Sequence, residues 1–217
     1  MTTKLSIASL TLAAMFLCAA PAGANPLGPS SGFLPSYAGP QNGDFNIASG
    51  DAFLHGSTFE FDATFSAAIG TTAGVFYVWG IDRGANLPLF GANRPGVLFD
   101  AVVISAPSLN TSFVLDLLTN TLTPLTGSQV SVSGDTLKLL VPDSLLPSTG
   151  FASPGDYLVN LWTRDGLNPA DFTQIAEFAP SNSDVGVTVP EPVTLSIFGA
   201  GLAGAVAMRR RKRKPDA

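Results

Sequence analysis

The stretch that decides the fold is TFEFDATF, which occupies Thr58–Phe65. Its apolar residues fall at every second position, and acidic or hydroxyl side chains occupy the positions between them. Successive side chains of a β-strand point to opposite faces of the sheet. The alternation therefore predicts a strand that buries Phe59, Phe61, Ala63 and Phe65 on one face and turns the other face to solvent.

Other segments of β character flank this strand along the chain. Val130–Val132 and Thr136–Val141 surround Ser133-Gly134-Asp135, a turn sequence typical of a hairpin. The further predicted strands are Gly74–Asp82, Val97–Ser105, Ser112–Leu118, Tyr157–Thr163 and Phe172–Phe178. Asn25–Asn42 is rich in Pro, Gly and Ser and is predicted to be an irregular leader. Roughly seven to nine short strands between turns predict an all-β fold with a single β-sandwich-like domain.

The composition of residues 25–189 excludes several classes of function. This segment carries four basic and 14 acidic residues, a formal charge of −10, which makes it a poor match for nucleic acid. The single cysteine, Cys18, lies before it, so the segment has no disulfide and no thiolate nucleophile. Its one histidine, His55, excludes a metal site built from several histidines, and no Gly-x-Ser-x-Gly motif is present. We therefore predict neither enzymatic activity nor a nucleic-acid partner.

The first 24 residues have the parts of a secretory signal peptide. Lys4 precedes an uncharged apolar stretch, Leu5–Ala20, and small residues follow that stretch. The predicted cleavage site is formed by Ala22, Ala24 and Asn25. We expect export through the Sec translocon and a mature chain that begins at Asn25.

The C-terminal region combines a rigid polar motif, an apolar run and a basic cluster. Pro190 and Pro192 flank Glu191, and this motif is expected to be extended because proline fixes φ and lacks an N–H. Val193–Met208 contains no charge and would span about 24 Å as a helix, somewhat less than a bilayer core of about 30 Å. The basic residues after it are Arg209, Arg210, Arg211, Lys212, Arg213 and Lys214. They predict a transmembrane helix that ends in the cytoplasm.

These three parts, in this order, resemble the PEP-CTERM sorting signal of Gram-negative bacteria. The resemblance rests on Pro190, Glu191 and Pro192 and on the apolar run and basic cluster that follow. It implies processing by an exosortase, an integral-membrane transpeptidase-like enzyme, in organisms that make exopolysaccharide. An ordinary C-terminal membrane anchor with a chance Pro-Glu-Pro is the alternative, although the apolar run is short for a permanent anchor.

The predicted organisation is a signal peptide at 1–24, a β-sandwich-like exported domain at 25–181, a linker at 182–189 and the sorting signal at 190–214. The all-β domain thus lies between a cleaved signal peptide and a C-terminal transmembrane sorting helix. We expect transient retention in the inner membrane and then delivery to the cell surface or extracellular matrix. A structural or adhesive role there would make exopolysaccharide a further partner.

Two tryptophans are candidates for contact with a glycan. Residues 79–84 read WGIDRG and residues 162–166 read WTRDG, so each Trp ends an apolar strand shortly before Asp, Arg and Gly. Exposed aromatic rings can stack on sugars, whereas the apolar neighbours of Trp79 and Trp162 favour core positions. A glycan-binding module, or a glycan-hydrolysing one, is the alternative to the structural role.

The same two segments offer oxygen ligands for a calcium ion. Asp82 and Asp165 each follow a predicted strand. If the two strands were neighbours, these carboxylates could converge on a cation that prefers oxygen ligands. Separate turn-forming aspartates are the alternative, and no other cofactor is expected.

Overall fold

The computed structural model describes residues 26–28, 30–190 and 201, and residues 26–190 hold an all-β fold of two sheets. The strands are β1 (Ser31–Gly32), β2 (Ile47–His55), β3 (Thr58–Phe65), β4 (Phe76–Asp82), β5 (Ala101–Ala106), β6 (Thr111–Asp116), β7 (Thr121–Pro124), β8 (Val130–Ser133), β9 (Thr136–Pro142), β10 (Leu158–Arg164), β11 (Ile175–Ala179) and β12 (Val185–Gly186). Single-turn 3-10 helices occupy Gly43–Phe45, Gly91–Asn93, Pro107–Leu109, Gly127–Gln129, Asp143–Leu145, Pro154–Asp156 and Phe172–Gln174.

The larger sheet has the order β1-β11-β10-β4-β5-β6-β7, with β12 paired to one end of β10. The smaller sheet has the order β2-β3-β9-β8. All the pairings between these strands are antiparallel. The β-sandwich-like all-β prediction is confirmed.

The strand at Thr58–Phe65 has the predicted bounds and the predicted burial. Its four apolar side chains are buried and the residues between them are half-buried. The predicted hairpin is also present, with Gly134 at φ 61° in the turn between β8 and β9. Where one face alone is buried, period-two alternation therefore located the strand correctly.

Aromatic rings join the two sheets across the sandwich interior. Phe61 of β3 lies 5.2 Å from the ring of Trp79 on β4, measured between centroids. The ring centroids of Phe65 and Tyr77 lie 4.6 Å apart. Aliphatic side chains from β9 and β5 complete this cluster. Such pairs add stabilisation of about 1 kcal/mol beyond the area that they bury, so the two sheets are held by a fully packed core.

The larger sheet is apolar on both faces. Every residue of β5 is buried, although an antiparallel strand with one solvated face should alternate. A second cluster lies on the outer face, around Trp162, Phe90 and Phe178. The leader contributes Phe33 to this outer cluster, while Leu27 and Tyr37 enter the interior. The described residues before Asn42 are thus irregular apart from the two-residue strand β1, and they are part of the packed domain.

The segment predicted as a linker, 182–189, is also part of the domain. Val185 and Gly186 pair with β10 of the larger sheet. Two residues later, Thr188 forms a parallel bridge with Phe53 of the smaller sheet. The segment therefore crosses from one sheet to the other, and the predicted end of the domain at residue 181 is too early. The alternation of Val185, Val187 and Val189 with Gly186 and Thr188 fits this pairing. Backbone hydrogen bonds and the buried side chain of Val187 both hold the segment.

The sequence pattern did not predict β1, β2, β7 or β12, and an irregularity in the backbone explains the failure at β2. β2 has a register shift between Ile47 and Ser49, which interrupts the alternation expected of a strand. Val97–Phe99 lies in a loop before β5, and Phe172–Gln174 forms a 3-10 turn before β11. Both predicted strands therefore begin too early, because their first apolar residues lie in loops that cover the outer face of the larger sheet.

A buried ion cluster fixes one corner of the larger sheet. The Arg83 Nε lies 2.5 Å from Asp100 Oδ1, and its Nη1 lies 2.8 Å from Asp116 Oδ2. The side chains of Arg83 and Asp100 have no exposed surface. The backbone N–H groups of Thr149, Gly150 and Phe151 all donate to the Arg83 carbonyl at 3.1 Å. The cluster thus ties β4, β5 and β6 to the loop after β9.

Candidate functional site

The chain leaves the sandwich directly before the proline-rich motif. The Thr188 N–H donates to the Ala52 carbonyl, and the Leu54 N–H donates to the Thr188 carbonyl, each at 2.9 Å. Pro190 is half-buried and follows Thr188 by two residues. Two residues reach at most about 7 Å, so the motif begins at the surface of the domain.

Most of the predicted targeting residues lie outside the described part of the chain. These are Glu191, Pro192, the basic cluster 209–214 and the predicted cleavage site at Ala22, Ala24 and Asn25. Of the predicted transmembrane helix, Val193–Met208, only Gly201 is described. Among the described residues, no helix is both long and apolar enough to cross a membrane.

The structure places the two candidate glycan-binding tryptophans on opposite faces of one sheet. Trp79 is fully buried in the sandwich interior, and Trp162 is 2% exposed on the outer face. Their strands are neighbours, with Leu161 opposite Trp79 and Trp162 opposite Val78. Neither ring is accessible for stacking on a sugar, and the two rings cannot flank one groove. The apolar neighbours in the sequence had indicated these core positions.

The candidate calcium ligands lie far apart. β4 and β10 are neighbours, but they are antiparallel, so Asp82 lies opposite Leu158 while Asp165 follows the other end of β10. Asp165 lies seven residues along the chain from Leu158, which corresponds to roughly 24 Å at about 3.4 Å per residue of strand. Asp82 is buried and Asp165 is exposed. The expected convergence is wrong because the repeated motif ends both strands without placing those ends together.

Asp82 instead lies in a polar cluster with Asn160 and Asp184, in which Asp82 and Asp184 interact through their charges. The Asp82 Oδ1 accepts hydrogen bonds from the backbone N–H groups of Gly84 and Asn86. The Asn160 Nδ2 donates to Asp184 Oδ1 at 2.7 Å, and the Leu98 N–H donates to Asp184 Oδ2 at 2.9 Å. The cluster therefore joins the loop after β4 to the segment that precedes the sorting motif. The described residues contain no group of three or more His, Cys, Asp or Glu side chains arranged for a metal.

Burial perturbs Asp184, which the sequence did not single out. Desolvation raises the pKa of this carboxyl from its ordinary value of 3.8 to about 6, and the nearby Asp82 contributes in the same direction. The two hydrogen bonds from Leu98 and Asn160 oppose the shift without cancelling it. The folded protein thus binds a proton at Asp184 more tightly than the unfolded chain does.

We expect Asp184→Asn to change how stability depends on pH. Because the folded-state pKa is raised, the stabilisation from the protonated carboxyl is present below about pH 4 and is lost as the pH rises through about 6. The free energy of unfolding of the unmodified protein, minus that of Asp184→Asn, should fall by about 2 kcal/mol between about pH 4 and about pH 7. Urea unfolding across this range measures the difference.

The matched control is Asp156→Asn, which replaces an exposed carboxyl on a turn. The difference in free energy of unfolding between this variant and the unmodified protein should vary less over the same range, because the carboxyl of Asp156 stays in contact with water when the protein folds. If the difference in free energy of unfolding between the unmodified protein and Asp184→Asn stayed constant with pH, it would contradict the raised pKa of Asp184.

Comparison with known proteins identifies the C-terminal region. The family model of the PEP-CTERM protein-sorting motif matches residues 188–212. No curated protein and no solved structure matches the chain. The resemblance drawn from Pro190, Glu191 and Pro192 is therefore confirmed, and the match begins at the residue that bridges to β2. The motif implies an exported protein with a C-terminal sorting tail that exosortase-type machinery processes.

Proposed function

We propose that this protein is a non-enzymatic component of an exopolysaccharide-rich cell envelope, with a structural or adhesive role. Its sandwich is carried across the inner membrane, held there by the sorting tail, and released to the surface or matrix after processing near Pro190, Glu191 and Pro192. The observation that carries the proposal is the sorting motif at residues 188–212, which begins where the folded domain ends.

The character of the domain supports this role over binding through aromatic stacking. Residues 25–189 carry a formal charge of −10, which keeps an exported domain soluble. Trp79 and Trp162, the rings that would stack on a glycan, are both buried. The leader and the segment 182–188 are packed onto the sandwich, so both belong to the exported domain. An acidic domain with buried tryptophans fits a matrix component better than a module that stacks on glycans.

The test is the intact mass of the mature protein from each cell fraction of its native host. We expect a chain that begins at Asn25, ends near Pro190 and lies outside the inner membrane. A full-length C-terminus confined to the inner membrane would instead establish a simple anchor and overturn the sorting route.

Substitution of Pro190, Glu191 and Pro192 by Ala tests the motif itself. This variant should keep its C-terminal residues and remain in the inner membrane. The control replaces Pro215 and Asp216 by Ala, since both lie beyond the matched residues. The control should be processed like the unmodified protein. Normal processing of the first variant would show that the motif does not direct cleavage.

Attachment of cells to a surface tests the structural or adhesive role separately. Deletion of the exported domain, with the signal peptide and sorting tail retained, should reduce matrix cohesion or attachment several-fold. Unchanged attachment and unchanged matrix would refute the role while leaving the sorting route intact.

A further inference from the structure

The outer face of the larger sheet carries a cavity of about 460 Å³ that the proposed envelope role does not use. Its floor is formed by sheet residues, among them Val78, Val102 and Ile104. The smaller sheet covers the opposite face, whereas here the cover consists of loops alone. Loops close an apolar sheet face less completely than a second sheet does, so a groove remains. Its volume falls in the range of about 300–1,000 Å³ typical of small-molecule sites.

Large apolar side chains at the rim of this cavity are exposed. Leu89 is 43% exposed, Leu122 is 53% exposed and Leu167 is 40% exposed, and all three line the cavity. They come from three separate segments, the loop after β4, strand β7 and the loop after β10. Several leucines around one apolar opening form a contiguous patch of the kind that marks a binding groove.

Two buried N–H donors in the lining have no partner. Arg164 is 7% exposed, and its Nε donates to no acceptor among the described residues. The Trp162 Nε1 is likewise buried and without a hydrogen bond in the described part of the chain. A buried donor without an acceptor costs about 1–3 kcal/mol, so a ligand that brings an acceptor to this place recovers that cost.

Arg164 is also the one charged residue that lines the cavity among the described residues. Its Nη2 donates to the Asn168 carbonyl at 2.8 Å and to Gln174 Oε1 at 3.0 Å, which are neutral acceptors. In the described residues it forms no ion pair. Burial lowers the pKa of its guanidinium. Asp165 and Asp171 act on the guanidinium from a distance, but neither forms an ion pair with it. The site thus holds a desolvated cation with no carboxylate in direct contact, at the end of an apolar groove.

We propose that this cavity binds a medium-chain fatty acid, with its alkyl chain on the apolar floor and its carboxylate at Arg164 and Trp162. The carboxylate supplies acceptor oxygens to the unpaired Arg164 Nε and Trp162 Nε1. It also places a negative charge in direct contact with the guanidinium. The alkyl chain covers the exposed leucines at the rim. This binding function is independent of the sorting route and of the adhesive role.

The experiment is calorimetric titration of the purified mature protein with dodecanoate. We expect saturable binding at one site per chain. Dodecyltrimethylammonium, which has the same chain length and the opposite charge, should not bind saturably. The absence of saturable dodecanoate binding, or equal binding of the two amphiphiles, would overturn the proposal.

Two variants test whether dodecanoate binds in this cavity. Leu117→Trp fills the cavity that Leu117 lines, and it should weaken dodecanoate binding at least tenfold. Its control is Leu118→Trp, at a neighbouring position that is 51% exposed and outside the lining, and this variant should bind normally. Arg164→Met should weaken binding at least tenfold while the alkyl groove remains. Unaltered binding by Leu117→Trp would exclude this cavity, whether or not Arg164→Met folds.

Discussion

Replacement of Arg83 by Met should reduce the free energy of unfolding by about 3–5 kcal/mol. The substitution leaves the carboxylate of Asp100 buried without its cation, and it removes the ion pair with Asp116. The Ala85 N–H and the Thr149 hydroxyl still donate hydrogen bonds to Asp100, but these neutral donors cannot neutralise its charge. Breaking one partner of a buried pair is costly because the other charge stays in a region of low polarity. Urea unfolding at neutral pH measures the loss.

The control for Arg83→Met is Lys138→Met, which removes the same charge from an exposed pair. The Lys138 Nζ lies 2.6 Å from Glu60 Oε1, but the lysine side chain is 41% exposed. Water screens this pair, so the loss should stay below about 1 kcal/mol. Equal losses for the two variants would show that burial of the Arg83 cluster contributes nothing.

Phe61→Ala should also reduce the free energy of unfolding by about 3–5 kcal/mol. Phe61 is fully buried between the sheets, with its ring 5.2 Å from Trp79 and 5.8 Å from Phe59. The substitution removes buried apolar surface and leaves a cavity that neighbouring strands cannot close. Chemical unfolding measures the stability, and the fluorescence of Trp79 should shift to longer wavelength as its surroundings loosen.

Phe53→Ala is the matched control on the neighbouring strand. Phe53 lies opposite Glu60 in the register of β2 and β3, and its side chain is half-buried. Its removal should cost about 1 kcal/mol because less surface returns to water. A loss at Phe61 as small as the loss at Phe53 would contradict the packed interior between the sheets.

The fold could be predicted wherever side-chain alternation alone determined it. Thr58–Phe65 and the hairpin around Gly134 are such places, since one face is buried and the other is solvated. Prediction failed where backbone geometry decided the structure. The register shift in β2 interrupted its alternation, and the short pairings of Val185, Gly186 and Thr188 are made with strands that are distant in the sequence.

The residues of the candidate site could likewise be predicted only in part from the sequence. The sorting motif could be read from the sequence because its recognition depends on composition and order along the chain. The partners of Asp82 could not, since sheet order and strand direction determine them. The repeated Trp-to-Gly motif correctly implied similar strands, but the antiparallel pairing of β4 and β10 separates Asp82 from Asp165. Nothing in the sequence near Asp184 indicated that its carboxyl would be buried beside Asn160.

The parallel bridge at Thr188 has a mechanical consequence. Tension on the chain beyond Pro190 reaches the domain first through the two hydrogen bonds that join Thr188 to Ala52 and Leu54. These bonds flank one residue of a parallel pairing, so a pull along the chain shears them together instead of opening them one after the other. The next contacts under load are those of Val185 and Gly186 with β10. A pulling force on a tethered domain therefore acts on hydrogen bonds to both sheets before it acts on the aromatic side chains between them.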